Sequence, residues 1–414
     1  MRILVVSQFF HPEMGAPAAR FGDFGSHLVR AGHDVTVLTT FPNFPQGRIY
    51  ADHQQRPFAR ETVGGIDVIR TPILALGGHT PVRKAMLYAT FAASSLVQGA
   101  LRDLKPDIVV GTTPPPTVGY TSMLLAGRFG VPHVLDVRDI WPEAVINAGR
   151  VKAGPAVMAL HRLNSVVLGR SAAVTTVSDG KKTRLIELGA PAGQTHVIPN
   201  GVDLALFDQR RKANGDEAAK VLADAGVPAG AKIVLYAGVF NPPQGLDLVL
   251  DAAAARKNAG KDDVHFALIG DGSLREHLKE RVAREGLDNV HIGGPVGREL
   301  VPALYGRAWA ALVILRPRKD THTVPSKIYE CMASQRPVIL SAAGEVTRIA
   351  ANANSGPVSG AGDLDELLSS IESLLADADK TADYGRSGRA YVEQHNDRAR
   401  LAMRYADVLI AAAG

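Results

Sequence analysis

Short runs of apolar, mostly β-branched residues alternate along this chain with longer stretches whose apolar positions recur every three or four residues. The runs read as strands buried on both faces, the longer stretches as helices laid over them. In the first half the expected strands are "ILVVSQ", "HDVTVLTT", "IDVIRTPI", "PDIVVGTT", "PHVLDVRD" and "AAVTTVS". Between them lie "APAARFGDFGSHLVRAG", which Gly32 ends, then "PVRKAMLYATFAASSLVQGALRDL" behind Pro81, "VGYTSMLLAGRFG", and residues 151–170. The pattern restarts with "AKIVLYAGVF", "VHFALIGDG", "NVHIGGPV", "AWAALVIL" and "RPVILSA" as strands. Helices "GLDLVLDAAAARKN" and "SLREHLKERVAREG" separate them, with Ser273 placed to cap the second. Such alternation predicts an α/β protein of two doubly wound domains, each a parallel sheet with helices on both faces.

The turn signal at Asn200-Gly201 puts the boundary near "VIPNGVDLALFD". The expected domains are 1–205, 206–385, and a helical tail at 386–414 that packs back on the first. Residues 214–231, rich in Ala, Gly and Asp, read as a loose loop with a helix. A chain of 414 residues suits two cores better than one. Its single cysteine, Cys331, rules out an intrachain disulfide and fits a reducing cytosol. "MRILVVSQFF" reads as a first strand, not a signal peptide. No run is long and apolar enough to predict a membrane-spanning helix.

The charge is unevenly placed. Residues 1–205 hold 20 Lys and Arg against 14 Asp and Glu, and the rest hold 26 against 27. The first half therefore suits an anionic partner such as a lipid phosphate or a membrane surface, or is simply a solvated basic face. "PVRKAMLYATFAASSLVQGAL", with Arg83 and Lys84 at one end, could sit among lipid headgroups or pack on the sheet. Nucleic acid is disfavoured, since no basic run interleaves with aromatics.

In doubly wound sheets ligands bind beyond the carboxyl ends of the strands, so motifs that follow a strand are the site candidates. After the first strand, "QFFHPEMGAPAAR" lacks the glycine fingerprint of dinucleotide sites; Gly15 either admits a phosphate or serves a turn. "LDVRDIWPEA" gathers Asp136, Arg138, Asp139 and Glu143 around Trp141 at a strand end, as a site or as a buried Arg–Asp pair bracing the loop. Asn241 and Gln244 could donate to phosphate oxygens, and Gly270 and Gly272 could bring backbone close to a ligand. "RKDTHTVPSKIYECMA" places Lys327 at a helix mouth and Glu330 one turn in, a pairing suited to a phosphate joined to a hydroxyl-bearing sugar. Histidine spacing does not fit zinc, and no Gly-x-Ser-x-Gly elbow is present. Asp363 with Asp365 and Asp377 with Asp379 read as solvated surface.

Taken together, "PEMGAPAAR", "FPNFPQG", "VRDIWPE", "IPNGVD", "LIGDGSLREHL" and "PSKIYECMASQRPVI" resemble the family 4 glycosyltransferases. "FPNFPQG", "VRDIWPE" and "PSKIYE" further resemble the bacterial L-fucosamine transferase type of colanic acid and O-antigen assembly. The resemblance implies the GT-B fold, with its two domains facing across a cleft and a C-terminal helix crossing back. It also implies retaining, metal-independent transfer with no cofactor. The donor would be a UDP-linked sugar of the N-acetylhexosamine type, and the acceptor a lipid-linked saccharide at the inner face of the membrane. The enzyme would then be cytoplasmic or peripheral. Glu330 would take the ribose hydroxyls. Lys327, with backbone at Val324, Pro325, Ser326 and Ile328, would hold the diphosphate, helped by Arg316 or Arg318. Pro295 and Val296 would line the base, and Gly15 would close over the donor. Lys327, Asp139 and Arg138 are the catalytic candidates. His322 stands where the family has its first glutamate, and Val239 and Gln244 where many members have Arg and Lys. Arg138 stands where many have His. A UDP-sugar 2-epimerase, a transferase acting on a small natural product, and a silent nucleotide-sugar binder are the rival readings.

Overall fold

The computed structural model describes residues 1–13, 16–44, 46–78, 80–147, 154–317 and 322–414. They form two units, Met1–Asn200 with Arg398–Gly414, and Gly201–Asp397. Both breaks differ from the expected boundaries. The expected tail divides: helix Ala378–His395 belongs to the second unit, and only the helix Arg398–Ala413 belongs to the first.

The first unit is built on β1 (Arg2–Val6), β2 (Asp34–Thr40), β3 (Ala59–Val63), β4 (Ile66–Thr71), β5 (Ile108–Thr113), β6 (His133–Val137), β7 (Ala173–Thr176) and β8 (Thr195–Val197). Their order is β3-β4-β2-β1-β5-β6-β7-β8. All pairs are parallel except β3 with β4. The antiparallel β3, "ARETV", is mostly exposed and polar, so it carries no apolar signature. The other strands are mostly buried and rich in apolar residues because both faces are covered. Ile3 and Val5 pack with Phe21, Phe24 and Tyr405, while Leu4 and Val6 pack with Leu87, Phe91 and Val118. Right-handed crossovers account for the division. The chain moves from β1 to β2 through helix Ala16–Arg30 on one face. It moves the opposite way through β5, β6 and β7 by helices Pro81–Ala100, Pro116–Phe129 and Pro155–Arg170 on the other. Helix Arg398–Ala413 joins the first face. Its Tyr405 ring meets Phe21 at 5.9 Å and Phe24 at 5.7 Å, and Arg398 pairs with Asp23.

The second unit has an all-parallel sheet of β9 (Lys232–Val239), β10 (Val264–Asp271), β11 (Val290–Gly293), β12 (Ala310–Ile314), β13 (Val338–Ser341) and β14 (Val358–Ser359). The order is β11-β10-β9-β12-β13-β14. The chain winds outward one way from β9 and the other way from β12, so the switch point lies between those two strands. In the first unit it lies between β1 and β5.

One local expectation changes: Ser273 does not cap the helix Arg275–Glu285, which begins after Leu274; its hydroxyl reaches Asn241 Oδ1 at 3.3 Å. Asp363, Asp365, Asp377 and Asp379 are exposed as expected, and Asp363 and Asp377 also serve as N-caps, each accepting from the backbone N–H three residues on, at 2.9 Å. The helix expected within 214–231 is Gly215–Asp224.

Candidate active site

In the second unit the switch point brings together the end of β9, the loop after β10, and the segment that follows β12. Gly238 and Gly270 face each other across the β9–β10 pair. A Cβ on Gly270 would lie 1.8 Å from Gly238 O, and one on Gly272 would lie 2.5 Å from Phe240 O. These glycines therefore let two strand ends close on each other, which is a different neighbour from the ligand expected of them. Asn241 Oδ1 is used in the same way, accepting from Ser273. Gln244 Oε1 accepts from the Tyr236 hydroxyl at 3.1 Å. Gly245, at φ +66°, turns this loop onto Arg316, whose N–H donates to Pro243 O at 3.2 Å.

Lys327 opens the helix Lys327–Ala333. Its Nζ sits 3.7 Å from the centroid of the Tyr236 ring. Gly238 leaves the room for it, since a Cβ there would lie 2.7 Å from Nζ. The residue as a whole is half-buried, but Nζ is closed off and has no hydrogen-bond partner among the described residues. Burial lowers the Lys327 pKa to about 8, against a smaller opposing pull from Cys331 and Glu330. The Tyr236 π-face offsets part of that cost, a contact worth ~2 kcal/mol when desolvated. An ammonium buried without a hydrogen-bond acceptor is costly to hold, which makes Lys327 a candidate for contact with an anion.

Glu330 lies one turn further along. Arg298 approaches it at 3.7 Å, a partner that the helix motif gave no sign of. Val324 and Ile328 are buried in the core, so any contact they make with a ligand must come from backbone. Ser326 is exposed, Val296 packs on the core, and Pro295 is exposed beside it. His322 is half-buried. Gly15 and Arg318 lie outside the described residues.

The first unit holds the other candidates. Arg138 is buried, and its Nε has no hydrogen-bond partner among the described residues. Burial lowers its pKa to about 10; Asp136 and Asp139 oppose the shift and Arg20 adds to it. Asp136 is the hub beneath, accepting from Arg20 at 3.0 Å, Thr175 at 2.8 Å and Thr112 at 3.3 Å. Asp139 is held by the buried Lys181, 3.1 Å away, which also donates to the Arg138 carbonyl. Asp136 belongs to the cluster that the motif pointed to, whereas Lys181, from a later helix, did not stand out. Beside Asp139, a largely apolar pocket is lined by Leu135, Val137, Trp141, His161 and Leu185.

Two domain families match these two units. One, described as a glycosyl transferase 4-like domain, covers residues 15–201. The other, glycosyl transferases group 1, covers 219–391. The chain belongs to the glycosyltransferases, with the family 4-like and group 1 domains in series. A putative colanic acid biosynthesis glycosyl transferase of Escherichia coli, WcaI, is 26% identical over 337 residues, 80% of this chain and 81% of the relative. A GDP-mannose-dependent alpha-mannosyltransferase of Mycobacterium tuberculosis is 26% identical over 348 residues, 83% of this chain and 80% of the relative. Among solved structures, Anabaena HepE in complex with UDP-glucose superimposes with a TM-score of 0.71 at 19% identity, covering 99% of this chain and 100% of HepE. Sucrose-phosphate synthase from Thermosynechococcus elongatus gives 0.76 at 20%, covering 99% of each. The fold is GT-B, and the protein is a glycosyltransferase enzyme.

The buried ammonium makes a prediction of its own. Below pH 8 Lys327 is charged in both the folded and unfolded states, so its burial penalty is fully present. Above 8 the folded form loses its proton first, the unfolded chain then holds more protons, and the penalty fades as pH rises. Lys327→Met should therefore stabilise the ligand-free protein by roughly 1–3 kcal/mol at neutral pH. The gain should shrink towards pH 10, as read by urea unfolding at both pH values.

Proposed function

We propose that this enzyme moves a sugar from a nucleotide sugar to a saccharide acceptor in cell-surface polysaccharide assembly. The donor is a UDP-sugar of the N-acetylhexosamine type, as in L-fucosamine transfer, and the acceptor is lipid-linked. Transfer retains the anomeric configuration and uses no metal. The observation that carries the reading is the Lys327 ammonium, buried at the switch point of the second sheet. A diphosphate there would give Nζ the acceptor it lacks among the described residues. Lys327 would then stabilise the charge that grows on the leaving nucleotide, as preorganised donors do. Glu330 would accept from the ribose hydroxyls, with Arg298 fixing its carboxylate.

On this reading the bond from the sugar's anomeric carbon to the phosphate oxygen breaks as the acceptor hydroxyl attacks from the same side. The departing phosphate takes the hydroxyl's proton. That assignment asks little of Asp139, which Lys181 already engages, and leaves Arg138 as a buried cation. The WcaI likeness supports the polysaccharide context, and the UDP-glucose and UDP complexes of HepE support a uridine nucleotide. The GDP-mannose-dependent relatives make the base the variable to test.

Calorimetric titration with UDP, GDP and ADP, with and without EDTA, tests the donor class. Binding of UDP above the others and indifferent to EDTA is expected. Preference for GDP would replace the donor, and loss of binding in EDTA would defeat the metal-independent reading. For Glu330→Gln, the donor KM should rise about tenfold with kcat little changed, the loss of one charge-assisted hydrogen bond. Initial-rate kinetics with the donor varied would read it.

A further inference from the structure

The stretch "FPNFPQG" is among those that carry the family resemblance, yet the donor site of the second unit makes no use of it. Its first four residues follow β2 directly, and residues 7–13 follow the neighbouring β1. Both segments therefore lie beyond the carboxyl ends of the first sheet, the edge at which doubly wound sheets bind ligands. One buried carboxylate joins them. Glu13 is 6% exposed, and its Oε1 accepts from Asn43 N at 2.7 Å, Phe44 N at 2.9 Å and Asn43 Nδ2 at 3.2 Å. Its Oε2 accepts from Phe10 N at 3.1 Å. A carboxylate is costly to bury unless donors surround it, and here they come from both segments. Arg70, also buried, ties the same segments by donating to His11 O at 2.6 Å and to Thr40 O at 2.9 Å.

This network holds one aromatic ring in water. Phe44 is 38% exposed. Among the described residues only Phe44 and Phe58, of all the phenylalanines, tyrosines and tryptophans, are exposed. The Phe58 ring is covered by the Arg102 guanidinium, 4.0 Å from its centroid. Phe44 makes a T-shaped contact with the half-buried Phe9, 5.3 Å between centroids. Both backbone groups of Phe44 are fixed, the N–H by Glu13 and the carbonyl by the Tyr50 hydroxyl at 2.6 Å. A lone exposed apolar side chain is ordinary. An aromatic one, fixed through its backbone at the ligand-binding edge, is arranged for contact.

We infer that Phe44, steadied by Phe9 and Glu13, is the platform on which a pyranose ring of the acceptor stacks. The C–H face of a pyranose is apolar and slightly positive, which complements the negative π-face of the ring. Phe44 is then a binding residue, and Glu13 a positioning residue that acts through it. This use of Phe44 rests on the proposal that the acceptor is a saccharide.

Saturation-transfer NMR of the whole protein with the methyl glycosides of glucose, galactose and N-acetylglucosamine tests it. At least one glycoside should receive saturation on its ring C–H protons. Phe44→Ala should weaken the binding of that glycoside roughly threefold to tenfold, the worth of one aromatic contact. Phe44→Leu should lose as much, because it restores apolar bulk without a π-face, whereas Phe44→Tyr should bind as the wild type does. Glu13→Gln should weaken binding in the wild-type background and add nothing in the Phe44→Ala background. Calorimetric UDP binding should be the same in every variant. UDP binding with no glycoside contact, or with equal contact in Phe44→Ala, would overturn the platform and leave the donor reading intact. Full binding by Phe44→Leu would overturn stacking, and additive losses would overturn the positioning role of Glu13. A protein that binds neither UDP nor a glycoside would overturn both readings.

Discussion

The arrangement of the second unit turns on one buried cation. Lys327 Nζ lies over the Tyr236 ring with no hydrogen bond among the described residues, and its neighbours hold that geometry in place. Gly238 has no side chain where Nζ lies. Tyr236 keeps its ring orientation by donating its hydroxyl to Val239 O at 2.8 Å, with Gln244 at its other side. The helix that begins at Lys327 is anchored by Ile328, Tyr329 and Met332 in the core. The surrounding packing holds the ammonium in place, so its desolvation cost stays in the folded protein. Sites commonly concentrate such cost where they work.

The sheet topology explains why this happens at that point. Outward winding in opposite directions from β9 and β12 opens the sheet beyond their carboxyl ends. The glycines at 270 and 272 allow β9 and β10 to end in close contact, and Asn241 ties the two loops together. The first unit repeats the logic with different residues. Its buried hub is Asp136, whose three donors fix the strand end that carries Arg138 and Asp139.

Much of this was legible in the chain itself. The apolar runs identified most strands because a sheet covered on both faces needs unbroken Val, Ile and Leu. Lys327 and Glu330 could be singled out because a helix mouth with a cation and a carboxylate has a limited set of uses. Elsewhere the sequence underdetermines the outcome. The edge strand β3 is exposed, so its composition looks like a loop. Gly270 and Gly272 look the same whether they admit a ligand or a neighbouring strand. Asp363 and Asp377 are the surface acids that the chain suggests, but their capping role shows only once the helix starts beside them are known. The outward apolar stripe of helix Pro81–Ala100 could not be separated from its buried stripe, because period alone does not say which side the sheet is on. Arg298 comes to Glu330 from a distant loop, and no local pattern announces such a partner.

If a diphosphate completes Lys327, its arrival must hold the proton on an amine whose pKa now lies at about 8. Calorimetry of UDP binding just above that pH, in buffers of different ionisation enthalpy, measures this directly. The wild-type protein should take up a fraction of a proton on binding, and Lys327→Met should take up none. UDP binding with no proton uptake by the wild-type protein, or with the same uptake by the variant, would contradict the claim that Lys327 is the phosphate's partner.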